Sequence, residues 1–97
     1  MNIMNQISND DILSWGSKNA LVRQIVYRGD QWVIVVLDYK GKTCLAMRWP
    51  YQGSKGFPST FGKESWCILP DQLYQAILDA LTLRPSDKKE IMQILNL

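Results

Sequence analysis

The stretch LVRQIVYRGDQWVIVVLDYKGKTCLAMRW, residues 21–49, decides the fold. Leu21 to Arg28 alternates apolar and polar residues, Gln31 to Tyr39 is nearly continuous Trp-Val-Ile-Val-Val-Leu, and Thr43 to Trp49 alternates again. A period of two is that of strands, and β-branched and aromatic side chains suit a pleated surface. Gly29-Asp30 and Lys40-Gly41 fall between the runs as two-residue connections, with glycine supplying the positive φ that hairpin turns need. The segment reads as a three-stranded antiparallel meander with its most apolar strand in the middle.

Two-residue turns fix the register, and the register assigns the faces. One face carries Leu21, Ile25, Tyr27, Trp32, Ile34, Val36, Leu45, Met47 and Trp49, interrupted by Arg23, Asp38 and Thr43. It is the expected core face. Asp38, on the apolar strand, is placed to meet Thr43 across the hairpin or Arg23 on the same face. The other face carries Val22, Val26, Val33, Val35, Leu37, Cys44 and Ala46, with Arg28, Lys42 and Arg48 at its margins. It is smaller and basic at its edges, open to a ligand or covered by the N-terminal segment.

Upstream, Ser8-Asn9-Asp10-Asp11 has the form of an N-terminal capping box, and Ile12, Leu13 and Trp15 follow before Gly16. A short helix fits there. Downstream, Pro50 to Glu64 forms a connection of about fifteen residues, uncommon for a small domain and a sign of function or disorder. Ser65-Trp66-Cys67-Ile68 is β-compatible and supplies a fourth strand. Pro70 and Asp71 suit the first turn of a helix in which Leu73, Ile77, Leu78 and Leu81 repeat at helical spacing. Pro85 breaks it, Ser86 caps a last helix, and Ile91, Ile94, Leu95 and Leu97 give that helix an apolar stripe, either core or subunit contact. The expected architecture is a single α+β domain over residues 1–97: a short N-terminal helix, an antiparallel four-stranded meander, and one or two C-terminal helices.

The composition, 46% hydrophobic and 21% charged, is that of a globular chain. No run approaches the roughly eighteen apolar residues of a membrane helix, and Met1 to Gln6 lacks a basic and apolar leader, so a cytoplasmic location is expected. Cys44 and Cys67 read as buried thiols rather than a disulfide. The sequence contains no histidine, which removes Ser-His and Cys-His nucleophiles, histidine bases and histidine-ligated metals. No phosphate loop or dinucleotide fingerprint is present, and the carboxylates form no evident acid and base pair. The expectation is a binding protein, not an enzyme, without cofactor or metal.

Net charge is +2, but it is unevenly placed. Residues 18–63 carry eight cations against Asp30 and Asp38, whereas residues 1–17 and 64–97 are each acidic by two charges. A basic middle segment suits a polyanion. The long connection adds aromatics to cations, the combination that stacks on bases and attracts phosphates. The candidate nucleic-acid-binding residues are Arg28, Lys42, Arg48, Tyr51, Lys55, Phe57, Phe61 and Lys63. Trp49 belongs with them in sequence but sits on the core face.

From Lys42 to Leu81 the arrangement resembles the single-stranded DNA-binding coactivators of the positive-cofactor-four type. Ala46-Met47-Arg48-Trp49 matches the aliphatic-x-Arg-aromatic strand, Lys55 to Lys63 the basic Gly/Pro loop, Cys67-Ile68-Leu69 the last strand, and Asp71 to Leu81 the helix. The family's Lys-Lys-Gly step is replaced by Gly62-Lys63-Glu64-Ser65-Trp66, and the helix after Pro85 is additional. The resemblance implies a homodimer built through helices and sheet edges, single-strand binding across the paired sheets, and a transcription-related role. From the residues themselves the expectation is binding of single-stranded DNA or RNA with low sequence specificity. The alternative is a protein-interaction module or inhibitor, because Trp, Tyr and Arg also dominate protein hot spots.

Overall fold

The middle strand organises the molecule. The computed structural model describes residues 7–50, 56–61 and 63–97. In order along the chain stand α1 (Asn9–Leu13), β1 (Ala20–Arg28), β2 (Val33–Tyr39), β3 (Lys42–Arg48), β4 (Ser59–Thr60), β5 (Lys63–Glu64), β6 (Cys67–Ile68), α2 (Tyr74–Ala80) and α3 (Pro85–Ile94). A four-stranded antiparallel sheet has the order β1-β2-β3-β6, and β4-β5 form a separate small hairpin. Val33 to Leu37 are all buried, so β2 is covered on both faces, which explains a run too apolar to alternate. Each fully buried aliphatic side chain there contributes about 1.5–3 kcal/mol.

The β2–β3 turn is Lys40-Gly41, as expected, with Tyr39 paired to Lys42 and unbroken register to Val33 opposite Arg48. Lys40 and Gly41 both have positive φ (51° and 82°), the geometry that matches the strand twist. The β1–β2 turn differs. It is Asp30-Gln31, closed by the Gly29 N–H donating to Trp32 O at 2.9 Å. Gly29 lies one residue past β1 and outside the turn, where a Cβ would lie 2.8 Å from the Tyr27 ring. The shift begins β1 out of the expected register, and two bulges, between Ile25 and Tyr27 and between Val22 and Gln24, take it up. Beyond them Val22 pairs with Leu37 and Leu21 with Asp38, as two-residue turns predict. Asp38 meets both expected partners, accepting from Thr43 Oγ1 at 2.8 Å and lying 3.6 Å from Arg23 Nε.

The N-terminal segment covers the smaller face. Ser8 Oγ accepts from the Asp11 N–H, and an Asp11 carboxylate oxygen accepts from the Ser8 N–H, both at 3.0 Å, completing the capping box. Ile12 is fully buried in the common core. Ile34, Val36 and Leu45 of the other face join the same buried core, as do Tyr74, Leu78 and Ile91 of the C-terminal helices. Asp71–Leu73 is a 3₁₀ turn leading into α2. The last helix starts two residues earlier than a Ser86 cap requires: Arg84 occupies the N-cap position and Pro85 the first helical position, where its missing N–H is no loss. Cys44 is buried and Cys67 exposed, both free thiols. Cys67 departs from the expected burial because β6 is a two-residue strand at the edge of the sheet. Among the described residues no helix is long and apolar enough to cross a membrane.

Candidate binding cleft

The connection after β3 is built onto the sheet, and Arg48 is what holds it. The Trp49 N–H donates to Phe57 O and the Phe57 N–H to Trp49 O, both at 2.7 Å, and the two rings lie 5.9 Å apart. Gly56 makes this approach possible with φ +71°, since a Cβ there would lie 2.5 Å from Trp49 O. The β4-β5 hairpin follows, and the Ser65 N–H closes it by donating to Pro58 O at 3.1 Å.

Arg48 is fully buried, which corrects its assignment as a nucleic-acid contact. Its Nη1 donates to Pro58 O at 3.0 Å and Ser65 O at 2.6 Å, the two ends of that hairpin. The guanidinium also lies 5.0 Å from the Trp15 ring centroid and 5.8 Å from that of Trp66. Burial pushes its pKa down from the usual arginine range, with Glu64 opposing, and a guanidinium stays charged through such a shift. Trp66 Nε1 donates to Trp15 O at 2.7 Å, tying the N-terminal segment to the hairpin across the end of the sheet. Arg28, half-buried, is likewise engaged by the N-terminal segment, donating to Asn9 Oδ1 at 2.7 Å and to Ile7 O.

Of the other expected contacts, Lys42, Phe57, Phe61 and Lys63 are exposed, while Tyr51 and Lys55 lie outside the described residues. Phe61 stands fully exposed at the hairpin tip with φ +51°. A bulky residue in the left-handed region is uncommon and costs on the order of 1 kcal/mol or more.

The clamp made by Trp15 and Trp66 leaves a cleft beside it of about 570 Å³. Trp15 and Ala20, Thr60 and Lys63 of the hairpin, and Trp66, Ile68 and Tyr39 line it. A shallower hollow of about 200 Å³ adjoins it, sharing Tyr39 and Ile68 and adding Lys42, Asp71 and Tyr74. Burial pushes the Tyr74 phenol up from its ordinary range, against an opposing hydrogen bond with the Leu45 backbone. The carboxylates Glu64 and Asp71 offset Lys63 and Lys42 within this lining. Surplus positive charge comes from Lys40, whose Nζ lies 5.2 Å from the Tyr39 ring centroid. None of Lys18, Lys40, Lys42 and Lys63 forms an ion pair among the described residues.

Sequence reasoning therefore overlooked Trp15, Tyr39, Lys40 and Trp66. The signal that could have found two of them was local: Tyr39-Lys40-Gly41-Lys42 sets an aromatic and two cations on a turn whose position the sequence makes plain. Trp15 and Trp66 are fifty-one residues apart in sequence, and nothing in either neighbourhood announces the other. Among the described residues no group of three or more Cys, Asp or Glu could hold a metal ion. Searches of protein-family models, curated proteins and solved structures find no match to the chain.

Proposed function

We propose that the protein binds single-stranded nucleic acid in the Tyr39 cleft, through stacking and phosphate attraction, and has no catalytic role. The observation that carries this reading is that Tyr39, Trp66 and Ile68 share a cleft and its adjoining hollow with Lys63 and Lys42, with Lys40 at the Tyr39 ring. A π-face takes any base, so such a site has low sequence preference and distinguishes DNA from RNA weakly. Phe61, strained and exposed on the hairpin whose Lys63 lines the cleft, adds a second stacking surface beside it.

The test is an anisotropy titration with labelled oligothymidylate across a salt series. Binding should weaken with salt, and Lys42→Gln and Lys63→Gln should each flatten the log–log slope by about 0.7. No binding at about 50 mM salt, or binding without a salt slope, rejects the proposal.

A second reading, a protein-interaction module, is favoured by the exposed apolar side chains Phe57, Ile68 and Leu73 and by the carboxylates in the lining. It predicts a stoichiometric protein partner that survives nuclease treatment. Homodimerisation would use the open β6 edge, and sedimentation equilibrium of the full chain decides it.

A further inference from the structure

Across the sheet end from the Tyr39 cleft lies a second hollow of about 530 Å³, lined by Lys18, Arg23, Asp38, Lys40 and Thr43 together with the exposed Leu21. Three of these side chains are cationic and one is a carboxylate. Asp38 is already occupied, accepting from Thr43 and paired with Arg23, so Lys18 and Lys40 keep their charge toward solvent. Lys40 stands on the ridge between the two depressions: the Lys40 N–H donates to Asn19 O at 2.8 Å, and its ammonium leans toward Tyr39. Tyr39 and Lys40 are consecutive, so the turn itself carries the surface from one side of the sheet to the other.

We infer that a bound single strand leaves the Tyr39 cleft over the Lys40-Gly41 turn and continues into the Lys18/Arg23 hollow, so that the site wraps the end of the sheet. The inference rests on the nucleic-acid reading and extends it. Within the cleft and its adjoining hollow, lysines and carboxylates balance; beyond the turn, cations are in excess. An anionic chain gains most from following that excess. Leu21, 58% exposed, offers an apolar surface for a base on that side.

The experiment compares labelled dT4, short enough for the cleft alone, with dT12, within the range of about 4–16 nucleotides that small single-strand sites span. For dT12 the variant Lys18→Gln/Arg23→Gln should lose about 10-fold in affinity at about 50 mM salt and about 0.7 in salt slope, Lys18 being the one of the two that Asp38 does not hold, while dT4 is unchanged. Lys63→Gln should weaken both. If the double variant leaves dT12 unaffected, or weakens dT4 equally, the wrapping path is wrong, and the cleft alone stands as the site when Lys63→Gln acts. If the unaltered protein binds neither oligonucleotide, or binds poly-glutamate more tightly than dT12, the nucleic-acid reading falls and the path with it. Should the double variant fail to fold, amide shift mapping on the unaltered protein separates the same outcomes. Asn19, Arg23 and Gly41 should move with dT12 and not with dT4, and equal responses to both overturn the path.

Discussion

Replacing Arg48 by methionine separates a structural role from a ligand-binding one. Methionine keeps an unbranched apolar stem but removes a charged donor from Pro58 O and Ser65 O, and a cation from between Trp15 and Trp66. Two hydrogen bonds from a charged group contribute about 1.5–3 kcal/mol each, and desolvated contacts with the indoles add about 2 kcal/mol. Against this, the variant no longer buries a charge, which offsets several kcal/mol. The net expectation is a loss of about 2–4 kcal/mol. With a urea m-value of about 1–3 kcal/mol/M for a small domain, the unfolding midpoint should fall by about 0.7–4 M. Tryptophan fluorescence follows it directly, because two of the four tryptophans flank the guanidinium. Arg48→Lys should fall between, since an ammonium keeps a charged donor but lacks the planar group that lies against both indoles. Oligonucleotide affinity, measured below the transition and referred to folded protein, should change little. A midpoint shift under about 0.3 M, or a stable variant that no longer binds, would refute the assignment of Arg48 to the interior clamp.

Other expectations test the remaining elements. Gly56→Ala should destabilise by about 1–3 kcal/mol, because both its φ and the nearness of Trp49 O exclude a Cβ, and thermal melts will register it. Phe61→Gly should leave stability unchanged or slightly raised, by relief of the left-handed backbone, while lowering affinity for dT12 by about 1–3 kcal/mol if the ring stacks on a base. An aromatic thiol reagent should titrate one thiol per native chain, Cys67, and two in denaturant, because burial holds the Cys44 thiol above its ordinary pKa and out of reach. The hydrogen bonds from Lys88 and Gln75 lower the Asp79 pKa in the folded state. Their stabilisation is therefore present above the unfolded carboxylate value near 4 and is lost as pH falls through the folded one. Lys88→Ala should weaken that acid dependence in urea titrations at pH 3 to 6, and an unchanged profile refutes the coupling.

The fold was legible where local chemistry and tertiary packing agreed. Lys40-Gly41 could only be a turn between two strongly β-forming runs, and its register carried the faces of β2 and β3 without error. The Ser8 to Asp11 capping box was equally local. Gly29-Asp30 misled by one residue because glycine served a packing need, the room taken by the Tyr27 ring, rather than a positive φ. Bulges have no signature in a single sequence, and here two of them restored the register that the displaced turn had lost. The small hairpin within the long connection escaped notice because it has only two residues per strand and is held from outside, by Arg48.

The site was harder to read for a reason that the arginines make plain. A cation next to an aromatic is the same pattern whether it faces a ligand or another part of the chain, and sequence records adjacency along the backbone, not in space. Arg48 beside Trp49 looked like a phosphate contact, yet its indole partners are Trp15 and Trp66, and its acceptors are backbone carbonyls. Arg28 is consumed in the same way by Asn9 and Ile7. Arginine suits both posts because its fixed fork loses less entropy per hydrogen bond formed. The lysines, compact charges on flexible stems, are left at the surface: Lys18, Lys40, Lys42 and Lys63 all lie at the Tyr39 end of the sheet. Subtracting the cations that the fold employs internally moves the candidate interface from the strand bearing Arg48 to the β2–β3 turn, and it is there that substitutions should change affinity without changing stability.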